Sequence, residues 1–363
     1  AFQDVNHMVV FGCGFFFAFL RRFEFSSIGL NLLIVVLGVQ CSVLTEALFL
    51  FLLHRPNEAG LQRITKAIVS VTAVVISTGA VLGKANPVQL ILMTVVEMIV
   101  FHLNRWLHNT FLQVPDNITM MHVHLFGAYF GLAACSHFSE PSPGSEKNRS
   151  TPKSDLFSML GTVFLWVFWP SFNSVLAEVE KSKAVYNTYF ALAASAGTAF
   201  VLSALTTREG KFHMAHIHSA ILAGGVAVGN AAPSIEYPWI AMILGLHASV
   251  ITILGSYCLQ RCFNPPLRIH DTSGVHFTFG LPAVLGALAQ VVLLVIQNWT
   301  GLPRLDYLVW FHIGALCLSI NVALISGFIT GLILNFKLFK NIPASKYFED
   351  QLYWEFPHLA VGF

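Results

Sequence analysis

The sequence predicts an all-α protein that crosses a membrane many times, and three observations carry that prediction. Of its 363 residues, 55% are hydrophobic and only 10% charged, whereas soluble domains carry roughly 25% charged residues. So few charges cannot cover the apolar mass in water, and the mean hydropathy is +0.68. The apolar residues gather in long runs, without the two-residue alternation of a membrane barrel. Helices are then the way to satisfy every backbone polar group inside lipid.

Eleven spans are expected, each near the ~20 residues that cross a bilayer: about 8–20, 27–53, 64–83, 86–104, 118–136, 156–177, 184–205, 212–232, 238–259, 276–297 and 308–335. The first is short, and its helix is expected to begin before Met8. Small residues recur in GAVLG at 79–83, AGGVAVGNAA at 223–232 and SGFITG at 326–331, where close helix packing is the plain reading. Between the fifth and sixth spans lies HFSEPSPGSEKNRSTPKSD, 137–155, a polar stretch that reads as a loop. It divides five spans from five, leaving one over, a count that suits an inverted repeat. FGAYFGL at 126–132 and FGLPAVLG at 279–286 open the fifth and tenth spans in similar ways. The expected organisation is one membrane domain over 1–363, with halves at about 1–136 and 156–297, a last span at 308–335 and a tail at 336–363.

With the N-terminus outside, the outer loops hold Arg55, Arg63, Lys66, Arg105, Lys181, Lys183 and Arg304. The inner loops hold the other 13 of the 20 Lys and Arg residues. That asymmetry favours a cytoplasmic C-terminus. The net charge of +2 offers no basic block for nucleic acid. Cys13, Cys41, Cys135, Cys258, Cys262 and Cys317 lie in or beside spans without a CxxC pair, so neither a metal nor a disulfide framework is expected, and no cofactor. Cys258 and Cys262 stand at an inner membrane edge, a place for palmitoylation. Asn298-Trp299-Thr300 is an outer-loop glycosylation sequon. Asn117-Ile118-Thr119 is too near the membrane to be a good acceptor, and Asn148-Arg149-Ser150 falls in an inner loop. The chain begins at Ala1 without a signal peptide, which reads as a truncated or processed start. No HExxH, GxSxG or paired intramembrane aspartates occur, so an intramembrane enzyme has no support, and the span count excludes a seven-helix receptor.

Ionisable groups inside spans are expensive in lipid and by default functional. His124 is the foremost, in HLFGAYFGL, with a neutral imidazole bonded to a neighbouring helix as the plain alternative. His122, two residues away, points to another helix face and reads as structural. Glu46, Glu97, His216, His218, His247 and His312 are expected to be buried with partners; for His216 or His218 a place near the inner vestibule stays open. Asp116 precedes the fifth span, where an acid near a helix N-terminus is stabilised by the dipole.

Several stretches together resemble the Rh branch of the ammonium transporter family: FQDV at 2–5, GAVLGK at 79–84, HLFGAYFGL at 124–132, FLWVFWPSFNS at 164–174, NTYFALAA at 187–194 and HIHSAILAGGVAVG at 216–229. LRIHDTSGVH at 267–276 and GLILNFKLFK at 331–340 extend the likeness over essentially the whole chain, and the ending SKYFEDQLYWEFPHLAVGF is similar to that of the Rh blood group polypeptides. The resemblance implies a trimer in the red-cell plasma membrane, a homotrimer or one mixed with other Rh-family subunits. Each subunit would enclose its own narrow pore, and a membrane-skeleton partner of the ankyrin type is compatible with the tail. It also implies a further span ahead of FQDV, so that eleven of twelve helices are present here.

Residue by residue, the resemblance makes Asp116 the outer acid that helps deprotonate ammonium and Phe172 an aromatic gate. Val69 stands where a second gate aromatic is expected, and His124 is the first of two facing pore histidines. The second should open an H-G-L-P stretch, but this chain has Phe279-Gly280-Leu281-Pro282. Phenylalanine neither hydrogen-bonds through a ring nitrogen nor carries a proton. His276, three residues earlier, would lie near the same face about 4.5 Å along an α-helix and is a candidate substitute. The expectation is therefore an Rh-family subunit with impaired or absent ammonium transport. The alternative is a working channel for a small neutral gas, ammonia or carbon dioxide.

Overall fold

The computed structural model describes residues 1–52, 59–141, 146–177, 179–207, 209–259, 269–298 and 305–356, and every regular element among them is helical. In chain order these are α1 (2–16, with a π-helical turn at Met8–Gly12), α2 (Glu24–Leu52), α3 (Gly60–Ala80), α4 (Pro87–Leu112) and α5 (Asp116–Cys135). After the polar loop come α6 (Pro152–Ser174), α7 (Lys181–Thr206), α8 (Met214–Ala227), α9 (Pro238–Tyr257), α10 (His276–Gln297) and α11 (Leu305–Leu334). Sequence signals set several starts. Asn86 caps α4 by accepting from the Gln89 amide at 2.9 Å, with Pro87 in the first turn, where its missing N–H costs nothing. Thr151 and Pro152 begin α6 in the same way.

Nine helices among the described residues are long and apolar enough to cross a membrane, so the expected count of eleven is not reached. The exceptions are α1 and α8. The eighth span was expected over 212–232, but α8 is a 14-residue helix that stops at Ala227. Beyond it the chain runs through turns that hydropathy cannot register, because they are as apolar as helix. The Asn187 amide donates to the carbonyls of Ala232 and Ile235 at 2.9 and 2.8 Å. Irregular backbone at membrane depth is tolerated where protein groups satisfy it in this manner.

One pattern of packing occurs twice. In the first half α2 lies on α3 and α4, and α3 on α5; in the second α7 lies on α8 and α9, and α8 on α10. The halves meet where α1 packs on α6, and α11 covers α4 and α5. Burial separates centre from rim: 83% of the most apolar windows of α3 and α5 is buried, against 22% for α2. Gly131 of α5 shows why small residues sit at these contacts, since a Cβ there would stand 2.6 Å from the Ser77 Cα of α3. The tail closes one end of the bundle. Phe348 N–H donates to the Gly83 carbonyl at 2.9 Å, and the Asp350 carboxylate accepts the Phe25 and Ser26 amides at 3.0 and 2.7 Å, capping α2.

Candidate functional site

Two vestibules of unequal size approach a central cluster of rings. The first, about 720 Å³, is lined by residues of α2, α3, α4 and the start of α5, with Val175 and Leu176 beyond the end of α6. Asp116 lines it, and its carboxylate is heavily engaged. Arg105 donates to it at 2.7, 2.8 and 3.2 Å, Lys66 pairs with it at 3.2 Å, and the Asn109 amide lies at 3.3 Å. Arg105 also lies 3.9 Å from Glu46 and 3.2 Å from His102 Nδ1. A carboxylate bound by two cations is a weak base, and this wall presents cations alongside the acid.

Eight residues along α5 from Asp116 stands His124, 1% exposed. The Met121 carbonyl is the hydrogen-bond partner of its ring, and Nε2 has none among the described residues. Trp169 and Phe172 of α6 both touch the imidazole, their centroids 5.6 Å away, with Trp169 nearly parallel at 18°. Spaced by three, the two rings share one face of α6. The other neighbour is Phe279, whose ring lies parallel to the imidazole within 10° at 6.2 Å. Phe16 of α1 follows, 6.2 Å from Phe279 and 5.0 Å from His218 of α8. The sequence of ring contacts is thus Phe172, His124, Phe279, Phe16, His218. Phe172 is 0% and Phe279 4% exposed, and neither vestibule is lined by His124 or Phe279.

The second vestibule, about 340 Å³, lies on the far side of this stack, lined by His213, His216, His218 and residues 271–274 among others. Asp271 shapes its rim. Its carboxylate accepts the Gly274 and His276 amides, both at 3.0 Å, and so caps α10; burial raises its pKa against the pull of the His276 and Val275 amides and of Lys84. Lys84 is itself 1% exposed and donates to Cys135 Sγ at 3.0 Å and to the His270 carbonyl, tying α5 to this loop.

The structure thus brings His124, Phe172 and Phe279 together and leaves Asp116 at the first vestibule. Val69 is 0% exposed on α3, in the same apolar cluster. His276 is not brought to His124: its ring contacts are Tyr129 and Phe277. The reason is local. His276–Gly280 is a π-helical turn, whose i to i+5 closure removes the three-residue register of an α-helix. His122 is structural as read, its Nδ1 2.9 Å from Ser319 Oγ of α11. The side chain of Asn298, the rest of its sequon, the side chain of Cys258 and all of Cys262 lie outside the described residues.

Trp169 and Phe16 were not singled out in the sequence, and Lys66 and Arg105 were counted there only as outer-loop charges. For Trp169 a signal existed, the Trp-Pro-Ser-Phe spacing that puts two rings on one helical face. The glycines of LAGGVAVG serve it, since a Cβ on Gly225 would meet the Trp169 indole at 2.7 Å. Asn173 of the same motif donates to the Gly225 carbonyl at 2.9 Å and to Thr188 Oγ1 at 3.1 Å. These motifs, specific in sequence, therefore hold α6, α7 and α8 together around the ring stack.

Residues 1–351 match the model of the Ammonium Transporter Family. An RH-like protein of Macaca mulatta is 44% identical over 366 residues, covering 99% of this chain and 88% of the relative. The blood group Rh(CE) polypeptide of Homo sapiens is 42% identical over 370 residues with the same coverages. Among solved structures, Rh50 of Nitrosomonas europaea superposes with a TM-score of 0.86 at 27% identity, over 99% of this chain and 92% of that one. Mep2 of Saccharomyces cerevisiae shares the fold, with a TM-score of 0.74 at 17% identity over 97% and 90% of the two chains. An all-helical bundle, matched along nearly its whole length by Rh proteins in both sequence and shape, belongs to the ammonium transporter family, in its Rh branch with the Rh blood group polypeptides.

Proposed function

We propose that this chain is an Rh-family membrane subunit that does not relay ammonium through paired imidazoles. The observation that carries the reading is Phe279, parallel to His124 at 6.2 Å. An ammonium ion entering an apolar lumen must shed a proton or forfeit its hydration, which is costly without hydrogen-bonding groups. Here His124 Nε2 has no hydrogen-bond partner among the described residues, the ring stacked beside the imidazole is a hydrocarbon instead of a second imidazole, and a benzene ring takes no proton. Asp116, held by Arg105 and Lys66, adds little as a base.

On this reading the chain works as a component of Rh trimers in the red-cell plasma membrane. It forms homotrimers or assembles with other Rh-family subunits, its tail is cytoplasmic, and its halves at about 1–136 and 156–297 are inverted repeats, with an ankyrin-type protein as a membrane-skeleton partner. Flux into liposomes tests it. The chain is expected to pass ammonia no faster than protein-free liposomes, and Phe279→His to raise the rate. Flux in the unaltered chain equal to that of Rh50 under the same conditions would sink the proposal.

A second reading, a channel for ammonia or carbon dioxide, is favoured by the two vestibules that flank the ring stack. Rh50 is described as a conducting member of the Rhesus family. Carbon dioxide needs no proton acceptor, so its flux, if present, would be indifferent to Phe279→His.

A further inference from the structure

The second vestibule carries a pair of histidines that have no part in the reading above. His213 occupies the N-cap of α8, and His216 stands three residues on, in its first turn. Both line the cavity of about 340 Å³. Their backbone is fixed from two sides. The Ser203 hydroxyl accepts the His213 amide at 2.8 Å, and the His213 carbonyl accepts the His216 amide at 3.0 Å. His213 is exposed and His216 half-buried. The Nδ1 of His216 is buried without a partner among the described residues, which leaves Nε2 as the nitrogen open to the cavity.

The spacing of the two rings has a chemical meaning. Their centroids are 4.7 Å apart, with the planes tilted by 37°. A metal at ~2.1 Å from an imidazole nitrogen lies about 3.2 Å from the centre of that ring. Two rings around one metal, with centres 4.7 Å apart, then subtend about 95° at it. That is the cis angle of square-planar or tetragonal copper(II) and nickel(II), where tetrahedral zinc would open it to about 110°. Imidazole suits these metals, and copper(II) heads the order of affinity. No lysine or arginine lines the cavity to repel a cation, and the Asp271 carboxylate stands on its wall. No third His, Cys, Asp or Glu joins the pair among the described residues. Water therefore completes the coordination, and the metal is exchangeable rather than structural.

We propose that His213 and His216 form a divalent transition-metal site in the second vestibule, taking copper(II) or nickel(II) by preference. Both rings belong to the first turn of α8, away from the His124–Phe279 contact. The site fills from its own side, whether or not anything passes Phe279. Metal binding and flux are therefore separate measurements, and failure of one reading leaves the other standing.

The test is a titration of the purified full chain, freed of any histidine tag, with copper(II) chloride, read by electron paramagnetic resonance. The first equivalent is expected to bind saturably with two imidazole nitrogens in its equatorial shell. His213→Asn removes an exposed ring and should leave unfolding in the absence of metal unaltered. Losing one ring of a pair held at high effective concentration is expected to weaken that first site about tenfold or more and to leave a single imidazole on the metal. His216→Asn is expected to do the same. His7→Gln, at an exposed histidine outside the cavity, should change neither the affinity nor the spectrum. A first equivalent bound by one imidazole in the unaltered chain overturns the proposal without relying on any variant. An affinity that His213→Asn leaves unchanged means adventitious copper only, and overturns it equally.

Discussion

Replacing Asp116 with alanine is expected to destabilise the fold more than replacing its partner Arg105, although the two form one ion pair. The asymmetry comes from where each charge is left. The Arg105 side chain is 7% exposed and that of Asp116 33%. Without Asp116 the guanidinium stays inside the bundle without a close carboxylate, keeping the neutral His102 Nδ1 at 3.2 Å and Glu46 at 3.9 Å. Stranding one member of a buried pair costs about 3–5 kcal/mol. Without Arg105 the carboxylate keeps Lys66 at 3.2 Å and Asn109 at 3.3 Å, on the wall of a cavity large enough for water. Loss of the guanidinium bonds alone should then cost about 1.5–3 kcal/mol. Reversible unfolding of the purified protein in lipid–detergent micelles, by heat or denaturant, reads the difference directly. Asp116→Asn should fall between the two. If Arg105→Ala proves as costly as Asp116→Ala, or costlier, the carboxylate rather than the guanidinium is the dependent partner and the reasoning fails.

Two further substitutions probe the scaffold around the rings and the closure of the bundle. Gly225→Ala sets a methyl 2.7 Å from the Trp169 indole and should cost about 1–3 kcal/mol, as overpacking does. The cost should shrink in a Trp169→Leu background, and an undiminished cost would mean that the clash lies elsewhere. Asp350→Ala removes the acceptor for the first amides of α2. That should cost about 1 kcal/mol and speed amide exchange at Phe25 and Ser26, with no change at the ring stack.

The bundle was legible in the sequence because the hydrophobic content of a span survives any detail of its backbone. The ends of spans were not. The first was read at about 8–20 with its helix beginning before Met8; α1 does begin earlier, at Phe2, but it ends at Phe16 with a π turn inside, and α8 stops five residues short of its expected end. Hydropathy counts side chains, whereas these departures are changes in which carbonyl each N–H finds, and Val228 or Ala231 is as apolar in a turn as in a helix. The same blindness misplaced His276, because the three-residue spacing presumed an α-helix where a π turn exists. At the site, family likeness located His124, Phe172 and Phe279, which come from α5, α6 and α10 and which no local spacing could have joined. The engagement of Asp116 was invisible for a related reason. Lys66 reaches it from α3 and Arg105 from the other end of a helix and turn, so both had been read as loop charges.

That misreading bears on orientation. The bias of Lys and Arg between loops acts through charges near the ends of spans, and a cation paired within the bundle is a different object. Lys66 and Arg105, counted on the outer side, have side chains 13% and 7% exposed and share Asp116. Lys84, counted on the inner side, is 1% exposed. Setting the three aside removes two of the seven outer charges but one of the 13 inner ones, so the asymmetry grows. The tail belongs to the more basic end, because Lys147 donates to the Ser345 carbonyl at 2.8 Å and pairs with Glu349 at 2.5 Å. Phe348 lies against Gly83, one residue before Lys84. Tail, polar loop and second vestibule then share one face, joined through Lys84, His270 and Asp271. A cytoplasmic tail, as proposed, places His218 and its cavity open to the cell interior, with Asp116 and its paired cations facing out.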